Sequence, residues 1–230
     1  MLQTAWAIAL AGALGWGLHA GHQVGPAVGG RMLSSVLLVV AAGVAWRLSG
    51  GTMMAWITAG VGLGTVGDFA NAGLLGALSG TLVAMGAFGL GHLCYVTGLL
   101  GALRERGARL PATALAVVVW WLLGALGWYL VVLLAPEHEL AWPALAYTLL
   151  LAATAGFATA LAVTDRRFVL LAAGAALFLL SDLILAVELF RGAFVQDTLA
   201  VWVPYGVGQM LIVFTSARQV ELSLHSRESV

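Results

Sequence analysis

AALFLLSDLILAV, residues 175–187, sets one carboxyl group in the middle of an oily run. The run extends from Phe168 to Phe190, long enough at about 1.5 Å per residue to cross a hydrocarbon core of about 30 Å. A charged side chain at that depth costs roughly 3 kcal/mol on insertion scales, so Asp182 needs a reason to be there. The remainder of the chain supplies the context. Its 230 residues are 62% hydrophobic and 9% charged, with a mean hydropathy of +1.02. Soluble domains are about 25% charged, which places this chain among integral membrane proteins. Backbone polar groups in lipid must be satisfied internally, by helices or by a closed barrel. The apolar stretches here are continuous over helix length, without the short alternation of barrel strands, and an all-α, polytopic helical bundle is expected.

Eight transmembrane helices are expected, near 2–20, 32–48, 53–73, 79–100, 112–135, 141–163, 168–190 and 198–217. They form a single domain over 1–217, and the polar stretch 218–230 is a short cytoplasmic tail expected to fray. The N-terminal stretch lacks the positive region of a secretory signal and reads as the first span. Every basic residue is an arginine. Eight of them (47, 104, 106, 109, 166, 167, 218 and 227) fall on one side, while Arg31 and Arg191 fall on the other. The positive-inside rule then puts both termini in the cytoplasm of a multi-pass protein of the cell membrane. Trp46, Trp56, Trp142 and Trp202 fall near span ends, where interfacial anchors belong.

Several functions are excluded early. Zero net charge gives no surface for nucleic acid, and the absence of lysine excludes a retinal Schiff base. The single cysteine, Cys94, allows no internal disulfide and reads as a packing residue. His19 and His22 lie three apart at a span end but lack further ligands nearby, so no metal site and no cofactor are expected. The glycine-rich stretches GLGTVG (62–67) and GALGW (124–128) suit close helix packing in lipid.

The polar residues that the spans should exclude are more informative. Asp68 lies in the third span, His92 and Tyr95 in the fourth, Asp182 in the seventh, and Tyr205 and Gln209 in the eighth. Phe88, His92 and Tyr95 share one helical face, as do Tyr205, Gln209 and Ile212. None of these polar groups belongs against lipid, and the economical arrangement points them inward at one pocket. Spans five and six add little beyond Tyr129 and Tyr147, and Glu188 falls near an interface.

In this order the motifs resemble the YhhN family, whose animal members include the TMEM86 lysoplasmalogenases. The resemblance rests on Gly67-Asp68, on Phe88, His92 and Tyr95 at F-x-x-x-H-x-x-Y spacing, on AAGAALFLLSDLILA (172–186), and on Tyr205, Gln209, Leu211 and Ile212. It departs where family members often carry Lys-Pro, since this chain has Arg31-Met32. The resemblance implies hydrolysis of the vinyl ether bond of a lysoplasmalogen, a single-chain ether lysophospholipid drawn from the membrane, giving a fatty aldehyde and a glycerophospho-alcohol. Such cleavage protonates the distal alkene carbon, and water then captures the oxocarbenium ion. Low polarity disfavours a carboxyl group's charged form, as does a second carboxylate nearby, so two aspartates sharing a proton provide an acid and a base. Asp68 and Asp182 are the expected pair, with roles unassigned. His92 is expected to orient a carboxylate or the water, Tyr95, Tyr205 and Gln209 to bind substrate, and Arg31, at the outer end of span two, to meet the phosphate.

Two rivals use the same residues. Intramembrane carboxylates also mark proton-coupled carriers, although the two halves of this chain share no repeat pattern. Intramembrane aspartyl proteases also use two aspartates, but TVGD (65–68) lacks the first glycine of their G-x-G-D pattern and no Tyr-Asp pair precedes it.

Overall fold

A computed structural model describes residues 2–20, 25–136, 139–192 and 197–228. Among these residues there are eight long helices and no strand: α1 (Leu2–Ala20), α2 (Gly25–Ser49), α3 (Thr52–Asn71), α4 (Thr81–Glu105), α5 (Leu110–Trp128), α6 (Ala141–Thr164), α7 (Val169–Arg191) and α8 (Asp197–Glu228). Six stretches are long and apolar enough to cross a membrane: Gly25–Ser49, Thr81–Glu105, Leu110–Leu133, Ala141–Thr164, Arg166–Arg191 and Leu199–Arg218. Within α1 the shorter stretch Thr4–Gly15 is apolar. Helix α3 falls short of that set because Asp68 and its glycines and threonines dilute its apolar residues.

Two boundaries differ from expectation in ways that bear on the site. Helix α2 begins at Gly25 rather than near 32, with Pro26 in its first turn, where a missing N–H costs nothing. Arg31 is therefore a helical residue in the second turn, only 5% exposed, and not a group at the mouth of a span. Helix α8 runs on to Glu228, past the expected end at 217, because no glycine or proline follows Gly208 to stop it.

Sequence neighbours pack as pairs, α1 with α2, α3 with α4, α5 with α6 and α7 with α8, while α8 also crosses back to α2 and α3. Small residues set how close these pairs come. A Cβ on Gly67 would sit 2.7 Å from the Phe88 ring, and Gly174 and Gly208 face each other so that a Cβ on either would lie 2.7 Å from the other's carbonyl oxygen. Gly60 and Gly91 likewise face each other, a Cβ on either lying 2.8 Å from the other's carbonyl oxygen, so α3 and α4, like α7 and α8, approach backbone to backbone, as lipid-embedded helices do through small residues. Helix α5 is the most peripheral and turns its leucines and valines outward. It ends in a π-helical segment, Tyr129–Leu133, whose Leu130 and Val131 carbonyls accept hydrogen bonds from the Arg191 guanidinium at the end of α7.

On the side expected to be cytoplasmic, Asp165 caps the turn before α7 and is held by Arg167 (2.8 Å). The Arg167 guanidinium keeps the Asp165 carboxyl below the usual carboxylate range. Arg106 lies over the Phe168 ring and 3.6 Å from Asp165, joining the ends of α4 and α7.

Candidate functional site

Helices α2, α3, α4, α6, α7 and α8 bring their polar side chains to the bundle interior. Asp68 is buried on α3 and its Oδ2 accepts two hydrogen bonds, from Ser35 Oγ of α2 (2.6 Å) and from the Tyr205 hydroxyl of α8 (2.8 Å). Behind Tyr205 the donors line up in one direction. The Tyr95 hydroxyl donates to Gln209 Oε1 (2.8 Å), and Gln209 Nε2 makes a long contact to the Tyr205 oxygen (3.5 Å). The chain of hydrogen bonds therefore ends on the Asp68 carboxyl oxygen. A carboxylate, which only accepts, suits that end.

Asp182 on α7 is half-buried and accepts a hydrogen bond on Oδ2 from the Tyr147 hydroxyl of α6. Its Oδ1 makes no hydrogen bond to the described protein. The preceding residue, Ser181, donates to the Val201 carbonyl (3.0 Å), which ties α7 to α8 beside the site. Pro204 lies inside α8 one residue before Tyr205 and breaks the backbone ladder there. Edge-to-face contacts of Phe178 with Tyr205 (5.2 Å) and of Phe88 with Tyr205 (6.1 Å) fix the ring that carries the Asp68 donor.

Two cavities meet at these residues. The larger, about 450 Å³, is bordered mainly by apolar side chains of α6 and α7, among them Ala144, Leu151, Leu179 and Leu183, with Tyr147 and Asp182 in its wall. The smaller, about 130 Å³, is polar and is lined by Arg31, Asp68, Asp182, Trp202 and Tyr205. Asn71, Asp182, Leu185 and Glu188 line both, so the cavities adjoin at Asp182. A wide apolar space next to a narrow polar one suits an amphiphile.

The expected site residues separate into two groups. Asp68, Asp182, Tyr205 and Arg31 come together on the small cavity, while Tyr95 and Gln209 stand behind it as support for Tyr205. His92 reaches neither carboxyl group by a hydrogen bond. Its Nδ1 pairs with Thr154 Oγ1 (2.9 Å), which also lies 3.2 Å from the Leu150 carbonyl. The other ring nitrogen, Nε2, is buried without a partner, and the ring packs against Phe178 (4.6 Å). In this arrangement Thr154 of α6, and neither aspartate, is the hydrogen-bond partner of His92, so the expected direct contact with a carboxyl group is not made. Glu188, expected near an interface, lines both cavities. The side chain of His19 and the whole of His22 lie outside the described residues. No group of three His, Cys, Asp or Glu side chains placed to hold a metal occurs among the described residues.

Ser35 and Asn71 are not singled out by sequence, Tyr147 reads there only as a minor polar residue of span six, and Trp202 reads as an interfacial anchor rather than a wall of the site. Ser35 follows Arg31 by four residues and so shares its helical face, and Tyr147 and Thr154 are seven apart on one face of α6. Those spacings are the available signals, but they are weak ones in spans that read as apolar.

Apolar helices enclose a carboxyl-lined polar cavity with an apolar chamber beside it, and six of them are long and apolar enough to cross a bilayer, which defines the class as a helical membrane protein. The model of the YhhN family matches residues 28–216, and the chain belongs to that family. Neither a curated protein nor a solved structure matches it.

Proposed function

We propose that this chain is a membrane-embedded ether hydrolase that opens the vinyl ether bond of a lysoplasmalogen. In this reading it crosses the cell membrane eight times with both termini cytoplasmic. The observation that carries the chemistry is the meeting of two cavities at Asp182, with Asp68 on the polar side. Family membership is consistent with a membrane hydrolase.

The residues support a division of labour. Asp68 already accepts two hydrogen bonds on one oxygen, which matches a carboxylate acting as base. Asp182 keeps an oxygen free of protein partners and borders the apolar chamber, which matches an acid that gives its proton to carbon. Protonation of the distal alkene carbon by Asp182 leaves an oxocarbenium ion at the carbon bearing the ether oxygen. Water, losing a proton to Asp68, adds there and forms a hemiacetal. The hemiacetal hydroxyl then loses its proton as the carbon–glyceryl oxygen bond breaks, and the departing glycerophospho-alcohol takes up a proton, which yields the fatty aldehyde. One water is consumed, and both carboxyl groups return to their starting states by proton exchange. Tyr205, held by Gln209 and Tyr95, fixes the base, and Tyr147 fixes the acid.

Purified protein in detergent tests this by release of fatty aldehyde from a lysoplasmalogen, run beside its saturated alkyl-ether counterpart. Aldehyde from the vinyl ether alone is the expected result. A folded protein that releases none overturns the substrate, and uptake into vesicles without product selects the carrier.

A further inference from the structure

Arg31 is the one basic side chain among the described residues that line the two cavities. It is 5% exposed, yet among the described residues its Nε and Nη1 reach no hydrogen-bond partner and no carboxylate lies within salt-bridge distance. Its guanidinium lies 5.2 Å from the centre of the Trp202 ring, which holds the plane in place without using its N–H donors. Ser34 donates to the Arg31 carbonyl (2.6 Å) and Ser35 to Asp68 Oδ2 (2.6 Å), so the neighbouring hydroxyls are engaged elsewhere. Burying a guanidinium with open donors is unfavourable unless a ligand completes it. Guanidinium geometry matches phosphate oxygens through parallel N–H···O bonds. The carboxyl groups of Asp68, Asp182 and Glu188 line the same cavity, which leaves an anion one favourable seat there, against Arg31.

We propose that the small cavity is a phosphate subsite in which Arg31, oriented by Trp202, anchors the substrate's phosphodiester while the hydrocarbon chain extends into the large cavity. This rests on the lysophospholipid reading above and deepens it, because it fixes which end of the substrate enters which cavity. The two ends are then separated by Asp182, and the linking bond must pass beside it. Head-group phosphate becomes a requirement for tight binding, so a phosphate-free alkenylglycerol or alkylglycerol binds poorly even though it carries the same chain.

Binding of saturated ether lipids, which the proposed reaction does not consume, separates this claim from the chemistry. The full-length protein in detergent is titrated with a 1-O-alkyl lysophospholipid and with the matching 1-O-alkylglycerol, following tryptophan fluorescence. The wild type should prefer the phospholipid by about 10- to 100-fold, the range for one charge-assisted contact. Arg31→Gln should erase the preference while leaving alkylglycerol binding unchanged, and Arg31→Lys should retain part of it. Equal binding of the two lipids by the wild type, or a preference that survives in Arg31→Gln, overturns the proposal and leaves Arg31 a structural partner of Trp202. A third arm titrates inorganic phosphate. Phosphate that competes only weakly with the phospholipid fits a lipid-borne group, whereas tight phosphate binding with no preference between the lipids assigns the seat to free phosphate and overturns it. If the head-group preference holds but no vinyl ether is cleaved, the subsite stands and the hydrolase reading falls.

Discussion

Gly67 is where the sequence of α3 and the geometry of the site constrain each other most tightly. A Cβ built there would lie 2.7 and 2.8 Å from Phe88 Cε2 and Cδ2, closer than nonbonded carbons approach. The Phe88 ring has little room to retreat, since it meets Phe178 and Tyr205 edge to face at 6.2 and 6.1 Å. Gly67→Ala must therefore push Phe88 or separate α3 from α4, an overpacking cost of about 1–3 kcal/mol. For a chain of this size that corresponds to about 2–4 °C in melting temperature per kcal/mol. Gly62→Ala is the control, because nothing lies within 4 Å of its added methyl and alanine is the better helix former by about 1 kcal/mol. The assay is thermal unfolding in detergent, with aldehyde release read on the same samples. Gly67→Ala should melt several degrees lower and lose activity as Phe88 displaces Tyr205, Gly62→Ala should do neither, and Gly67→Ala with Phe88→Leu should recover part of the melting temperature. A Gly67→Ala protein as stable as wild type, or a Gly62→Ala protein damaged as much, refutes the packing argument.

Further expectations concern the site and its flanks. Tyr205→Phe and Ser35→Ala each remove one donor from Asp68 Oδ2 and should lower kcat/KM about 10-fold, from about 1.5 kcal/mol per charge-assisted bond; the steady-state rate of aldehyde release checks this. Ala144→Phe narrows the large cavity and should reduce kcat/KM for long-chain substrates more than for short-chain ones, as a chain-length series would reveal. Asp165→Asn should cost about 0.5 kcal/mol at neutral pH, measured by unfolding. Because the folded carboxyl titrates below its ordinary value of 3.8, that stability is present above 3.8, and the wild-type advantage should fade as pH falls through the depressed range.

Much of this arrangement was legible in the sequence because a bilayer makes polar residues conspicuous. Asp68, Asp182, Tyr205 and Gln209 stand out against runs of alanine and leucine, and burial forces them toward one interior. Helical class followed from the length of those runs. What was not legible lay in phase and register. Arg31 reads as an interfacial residue only if α2 starts near 32, and Pro26 in the first turn carries the helix outward by two turns, which places the guanidinium inside. His92 shares a face with Tyr95, but whether that face meets an aspartate or Thr154 depends on how α6 packs on α4, a long-range contact that no local motif encodes. Ser35 and Tyr147 are common enough in apolar helices that only the packed structure identifies them as donors to the two aspartates.

The central step of the proposed reaction is the passage of a proton from a membrane carboxyl group to an alkene carbon. Turnover of a lysoplasmalogen in D2O, with the aldehyde trapped as it forms and weighed by mass spectrometry, reads that step directly. Wild type should give aldehyde carrying one deuterium on the carbon next to the carbonyl, and Asp182→Asn should fall at least about 100-fold in rate while remaining folded. Aldehyde without deuterium, or an Asp182→Asn protein at wild-type rate, would contradict the account.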